Sequence, residues 1–256
     1  MTNKSPNKSK VPQTILVTGA TSAIAQAWMR LIAPHGPHFY LVARSQDRLQ
    51  AVALDLQTRG AGSVSMEALD LDRTDEHAAM LTRAVSALGN IDCAMIAQGV
   101  LGDQALADKD FSHSAALLHT NLISVISLAT WLANYFDAQG RGTLAVISSV
   151  AGDRGRWKNC IYSASKAGLN VYLDGLRNRL DRRGVNVLTI RPGFVSTPMT
   201  AHMPPSPLFA TPERVARDMQ RAIEGRKDVL YTPWFWWWLM AAVRAIPEWK
   251  FKSMDV

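Results

Sequence analysis

The chain reads as an α/β protein, a single doubly wound domain built on a seven-stranded parallel sheet. Two observations predict this. Short apolar runs alternate with helical stretches from residue 13 to residue 232. Most of those runs are continuously apolar rather than alternating, the mark of strands covered on both faces by crossover helices. A chain of 256 residues, 48% hydrophobic, is long enough for one such core, and no repeat or internal linker divides it.

The elements follow in order. TILVTG at 14–19 is the first strand and ends in a glycine. Residues 22–33 have helical spacing through Ile24, Trp28, Leu31 and Ile32, closed by Pro34 and Gly36. HFYLVA at 38–43 is the second strand, followed by a polar helix over 46–58. SVSMEAL at 63–69 is the third strand, 74–88 the third helix and IDCAMIA at 91–97 the fourth strand. The long segment 110–139 reads as one or two helices, and GTLAVIS at 142–148 as the fifth strand. A helix over 159–183 is stopped by Gly184, and VNVLTI at 185–190 is the sixth strand. Thr211 caps a helix over 211–224 that carries Pro212 and Glu213 in its first turn, and DVLYT at 228–232 is the seventh strand. Two tails remain: residues 1–12, read as a disordered basic arm, and the aromatic segment 233–256.

The net charge is +7, and Lys4, Lys8 and Lys10 fall in the arm. No apolar run follows them, so the arm is not read as a signal peptide. The charge serves solubility or attraction to an anionic surface. No nucleic-acid motif accompanies it, so no nucleic-acid partner is expected. Cys93 and Cys160 stand at no framework or metal spacing, as suits small packed residues in a reducing, cytoplasmic compartment. His35, His38, His113 and His119 have no acidic or cysteine partners at ligand spacing, and no metal is expected.

The chemistry concentrates in SSVAGDRGRWKNCIYSASKAG, residues 148–168. Tyr162 and Lys166 are four apart on a helix and share a face. A phenol with a pKa of ~10 is a poor base at pH 7, and a neighbouring ammonium is expected to lower that value. Bringing it near neutrality takes ~4 kcal/mol of differential interaction. The phenol could then exchange a proton with a substrate oxygen. Ser149, 13 residues upstream, could hold the same oxygen by a donated hydrogen bond. Alone, such a Tyr/Lys pair is more often a solvated helix pair; the serine and the N-terminal glycine turn change that weighting.

That turn, TGATSAIA at 18–25, opens the first helix, where backbone N–H groups favour phosphate. Gly19 supplies the tight turn; Ala23 and Ala25 stand where glycines are usual, and Ala23 adds a methyl where a pyrophosphate would approach. The residues expected to cradle the phosphates are Gly19, Thr21, Ser22 and Ile24. The second strand ends without a carboxylate, in Ala43-Arg44-Ser45. Arg44 and Ser45, with Arg48, therefore favour a 2′-phosphate, so NADP(H) over NAD(H). Asp70, with Leu71 beside it, is placed to accept from an adenine.

Taken together, these motifs resemble the short-chain dehydrogenase/reductase family over residues 13–232, a family with the Rossmann fold. The resemblance implies a catalytic tetrad of Asn121, Ser149, Tyr162 and Lys166, with Asn121 helping to hold a water chain to the lysine. It implies that Lys166 also binds the nicotinamide ribose. It places Gly99 beside the cofactor, at the end of Ile96-Ala97-Gln98-Gly99. Only the glycine of the family's motif is present there, so side-chain support from that loop is expected to be missing. It also places Pro192, Gly193, Val195 and Thr197 there, with the Val195 backbone at the carboxamide and Thr197 at a phosphate oxygen. It implies hydride transfer between a nicotinamide and a carbonyl or alcohol carbon, and a dimer or tetramer. A closer likeness, carried by GVLGD at 99–103, RPGFVSTPMTAH at 191–202 and the tail, is to the subgroup that includes decaprenylphosphoryl-keto-pentose reductase.

The tail holds Trp234, Trp236, Trp237, Trp238 and Trp249, five of the chain's eight tryptophans. Its apolar part, 234–246, is short of the ~20 residues that span a bilayer. It either lies in a membrane interface, on the cytoplasmic face, or packs on protein. Arg154 and Arg156 either clamp a substrate phosphate or are exposed loop charges. The first reading of function is reduction of a lipid-linked keto-sugar or another lipophilic ketone. The alternatives are a soluble reductase of small carbonyls or acyl-thioesters, and a dinucleotide-sensing protein without chemistry.

Overall fold

A computed structural model describes residues 11–204 and 206–254. The basic arm therefore lies, up to residue 10, outside the described residues. Val11 is buried and joins the core, so the ordered chain begins inside the stretch assigned to the arm.

Seven strands form one parallel sheet: β1 (Thr14–Thr18), β2 (His38–Ala43), β3 (Ser63–Ala68), β4 (Cys93–Ile96), β5 (Gly142–Ile147), β6 (Val185–Pro192) and β7 (Val229–Thr232). Their order is β3-β2-β1-β4-β5-β6-β7. Helices α1 (Ala23–Ile32), α2 (Gln46–Thr58) and α8 (Pro212–Glu224) accompany α3 (His77–Leu88), α6 (Ser124–Gln139) and α7 (Cys160–Leu180). Two cores result. One places Trp28 and Met219 against Ile15, Val17 and Ile190; the other places Leu128, Phe136 and Leu173 against Leu16, Ala94 and Val146. Alternate residues of one strand thus enter opposite cores, which is why most of the strands are apolar on both faces.

The order of the strands reverses between β1 and β4, whose last residues Thr18 and Ile96 are register partners. In an open parallel sheet the crevice beyond the carboxyl ends at such a point is where ligands bind. The segment over 110–139 is divided: α5 (Phe111–Leu118), a π turn at His119–Ile123, then α6. A short helix α4 (Gln104–Ala107), which the sequence pattern does not show, precedes it. The C-terminal tail is also helical, with α9 (Phe235–Ala245) and α10 (Glu248–Phe251).

Candidate active site

A cleft of about 440 Å³ opens over the carboxyl ends of the strands. At its centre the backbone turns at Gly19 with φ +67°, and a β-carbon there would stand 2.4 Å from the Gln98 nitrogen. Only glycine permits both the turn and this approach of the β4 loop. Thr21, Ser22 and Ile24 line the cleft beside it, and so does Ala23. Ala25 is fully buried in the helix–sheet contact, where its methyl is accommodated. The glycine turn and the N-terminus of α1, which could hold a phosphate, are therefore together at the cleft, with the Ala23 side chain beside them.

Gln98 corrects the expectation that the loop after β4 lacks side-chain support. Its Oε1 accepts a 2.8 Å hydrogen bond from the Thr18 hydroxyl, tying that loop to β1, while its buried Nε2 has no partner. The length of a glutamine side chain lets it reach across to the neighbouring strand, a reach the motif comparison overlooks.

Arg44, Arg48, Asp70 and Leu71 line the end of the cleft beyond β2 and β3. Among the described residues neither guanidinium has a hydrogen-bond or ion-pair partner, and Val42–Ser45 hold no carboxylate; this donor set suits a phosphorylated ribose. Ser45 is a correction. It does not line the cleft, and its Oγ instead caps α2 by accepting from the Arg48 N–H at 3.3 Å. On the opposite side Gly99, Pro192, Gly193, Val195 and Thr197 line the cleft. The Val195–Thr200 loop is closed by the Thr200 hydroxyl, which donates to the Val195 carbonyl.

Ser149, Tyr162 and Lys166 meet at the end of β5. The Ser149 side chain lies close enough to the Tyr162 phenol to act on its titration and accepts from the Ala151 N–H at 3.1 Å. The Lys166 Nζ lies 5.8 Å from the Tyr162 ring centroid and donates to the Ile147 carbonyl at 3.3 Å. The lysine is 3% exposed, and burial brings its pKa down to about 8. The phenol departs from the sequence expectation. Burial pushes its pKa above the ordinary tyrosine value, opposed by the Ser149 side chain and the charge of Arg156. Desolvation of the phenolate thus outweighs both of these opposing effects.

Asn121 lies behind the cleft wall, fully buried in the π turn. Its amide donates to the Val100 carbonyl and accepts from the Val100 N–H, both at 2.8 Å. A β-carbon at Gly99 would stand 3.3 Å from Asn121 Oδ1 and 3.5 Å from Lys166 Nζ, so both groups converge on one short piece of backbone. The extra residue of a π turn re-aims a side chain in this way.

Arg154 and Arg156 go separate ways. Arg154 does not line the cleft and is neither a clamp there nor a free loop charge. Its Nη1 donates to the Val243 and Ile246 carbonyls at 2.6 Å, its Nη2 pairs with Glu248 at 3.0 Å, and its guanidinium lies 3.7 Å over the Phe251 ring. It closes the C-terminus of α9, whose last carbonyls lack helical partners. Arg156 does line the cleft.

The tail packs one face and exposes the other. Trp236 and Met240 are buried against Val150, with Phe194 and Tyr231 alongside. Trp236 lines the cleft, and a β-carbon on Gly193 would fall 1.9 Å from its indole. Sequence reasoning offered the tail as a whole as one wall of a substrate entrance but did not single out Trp236, although 236, 240 and 243 stand at helical spacing and all three meet this cluster. Trp234, Trp237 and Trp238 on the outer side are 65%, 44% and 64% exposed. Asp153, whose side chain is 1% exposed, pairs with Arg191 at 3.0 Å and accepts from the Tyr231 hydroxyl at 2.9 Å. That network fastens the loop after Ser149 to β6 and β7.

Residues 13–207 match the family model described as short chain dehydrogenase. An uncharacterized oxidoreductase of Mycobacterium tuberculosis is 38% identical over 240 residues, 94% of this chain and 96% of the relative. Among solved structures, levodione reductase superposes with a TM-score of 0.81 at 19% identity, covering 90% of this chain and 98% of that one. An actinorhodin polyketide ketoreductase solved with NADPH gives 0.78 at 23% identity, covering 88% and 97%. At these identities the two structures speak for the fold.

Proposed function

The chain belongs to the short-chain dehydrogenase family and is an NAD(P)-dependent oxidoreductase, and from that premise we propose that it reduces a lipophilic ketone with NADPH, a lipid-linked keto-sugar being the substrate class that suits it. One observation carries the reading: the cleft that holds Ser149, Tyr162 and Lys166 has a large apolar share in its lining. Val150, Phe194, Met199, Met203 and Trp236 line it, and the helix that supplies Trp236 exposes further tryptophans at the surface.

Gly19, Thr21, Ser22 and the loop through Thr197 would hold the cofactor's phosphates, and Arg44 and Arg48 favour the form with a 2′-phosphate. When bound, the nicotinamide supplies the hydride to the carbonyl carbon. The Ser149 hydroxyl and the Tyr162 phenol both face the carbonyl oxygen's position. Burial keeps Tyr162 protonated, the form that gives a proton to the developing alkoxide. Lys166, with Asn121 at the Gly99 backbone behind it, returns a proton to the phenol. The same apolar lining excludes water from the reacting carbon. The exposed tryptophans, with Arg214, Arg221 and Lys227 around Asp218 in an adjoining groove that keeps a net positive charge, let the chain rest on an anionic membrane surface where such a substrate resides.

NADPH oxidation with a panel of short- and long-chain ketones tests this reading. Wild type is expected to turn over the long-chain members faster, and Tyr162→Phe to lose about 10²–10⁴-fold in rate. Equal rates in the two chains would exclude Tyr162 as the acid, and no oxidation above background with any ketone would favour a nucleotide-binding role without chemistry.

A further inference from the structure

The loop between Ser149 and α7 carries a cation that nothing around it neutralises. Arg156 sits in extended backbone and its side chain lines the cleft on the Tyr162 side, near enough for its charge to act on the phenol. Among the described residues its guanidinium makes no hydrogen bond and no ion pair, and its Nε is buried without a partner. Nearby Asp153 is already held by Arg191 and Tyr231. The acids that line the cleft, Asp70 and Asp72, follow β3 at the far side of the sheet.

A guanidinium stays charged in a protein, and an unpaired buried N–H costs more than a satisfied one returns. With the cleft open, water can serve its terminal nitrogens, which unlike Nε are not buried. A substrate that filled the apolar part of the cleft would displace that water and leave a charge unpaired at the reaction centre. An anionic group on the substrate removes this cost, because a guanidinium pairs with phosphate or carboxylate through two parallel hydrogen bonds.

We infer that the substrate carries an anionic group, a phosphate or a carboxylate, and that Arg156 binds it while the carbonyl sits at Ser149 and Tyr162. This deepens the ketone-reductase reading and rests on it for the carbonyl alone. It also couples binding to chemistry. An anion on Arg156 offsets the positive charge that favours the phenolate, so the bound substrate leaves Tyr162 more firmly protonated.

Calorimetric titration of the NADP⁺-saturated chain tests the inference with two matched pairs of probes. These are dihydroxyacetone phosphate with dihydroxyacetone, and levulinate with methyl levulinate. Wild type is expected to bind the anionic member of at least one pair about tenfold more tightly or better. Arg156→Gln should reduce that preference to about twofold or less, and Arg156→Lys should restore part of it, since an ammonium supplies charge without the fork. A preference confined to the first pair assigns a phosphate; one confined to the second assigns a carboxylate. Wild type binding both members of both pairs equally, or a preference that survives Arg156→Gln, overturns the inference. The readout needs no turnover. A chain that bound anions through Arg156 yet oxidised no NADPH with any ketone would refute the reductase reading and leave this one standing.

Discussion

Lys166 shows what the site demands of a single residue. At 3% exposure its pKa is drawn from 10.5 down to about 8 by burial. Below pH 8 the lysine is charged in both the folded and unfolded chain, and folding must desolvate that charge at a cost of ~3 kcal/mol. Between about pH 8 and about pH 10.5 the unfolded chain binds more protons than the folded one, so stability rises with pH across that window. Lys166→Met is therefore expected to be more stable than wild type at pH 7 by up to ~3 kcal/mol, less what the lost Ile147 bond contributed. The advantage should shrink as pH approaches 10.5, and NADPH turnover should be lost at every pH. Urea unfolding of both chains at the two ends of the window measures it. A methionine variant less stable than wild type at pH 7 would show that the ammonium is satisfied rather than strained.

At the scale of an element, α9 is held at both ends of its buried face. Trp236 presses on Gly193 near its start, and Arg154 binds the carbonyls of Val243 and Ile246 at its close. Gly193 also lines the cleft, so the tail braces the loop expected to meet the nicotinamide. Arg154→Ala removes charge-assisted bonds from a largely buried guanidinium and uncovers two carbonyls, an expected loss of ~2 kcal/mol or ~4–8 °C in melting temperature. If the brace matters to the site, the same variant raises KM for NADPH, and Gly193→Ala, which forces the indole away, raises it further. Differential scanning fluorimetry and steady-state kinetics read the two effects. An Arg154→Ala chain with a lower melting temperature but an unchanged KM would make the tail a stabilising strap with no bearing on the cofactor.

Over the whole molecule, legibility in the sequence follows how far a signal is local. The parallel sheet could be read because most strands are apolar on both faces, and the seven runs alternate with stretches of helical spacing. Ser149, Tyr162 and Lys166 could be read because two of them share a helix and the third ends a strand, spacings fixed by regular structure. The π turn at Asn121 could not, since one added residue in a continuous helix leaves the composition unchanged. Arg154 and Arg156, two positions apart and alike in chemistry, could not be told apart. What separates them is α9, which arrives from about 90 residues downstream. The tail was ambiguous because it has two faces, and this bears on how membrane contact is tested. Deleting residues 233–256 would uncover Val150, Phe194 and Tyr231, which Trp236 and Met240 cover, so loss of binding by that chain would report damage to the core. Replacing only Trp234, Trp237 and Trp238 with serine alters residues that are 44–65% exposed and spares the packed face. Wild type is expected to sediment with phosphatidylcholine vesicles containing phosphatidylglycerol, the triple variant to stay in the supernatant, and added salt to weaken wild-type binding by screening Arg214, Arg221 and Lys227. Wild type remaining in the supernatant at low salt would leave the exposed tryptophans without a lipid partner and turn attention to a second protein chain as their cover.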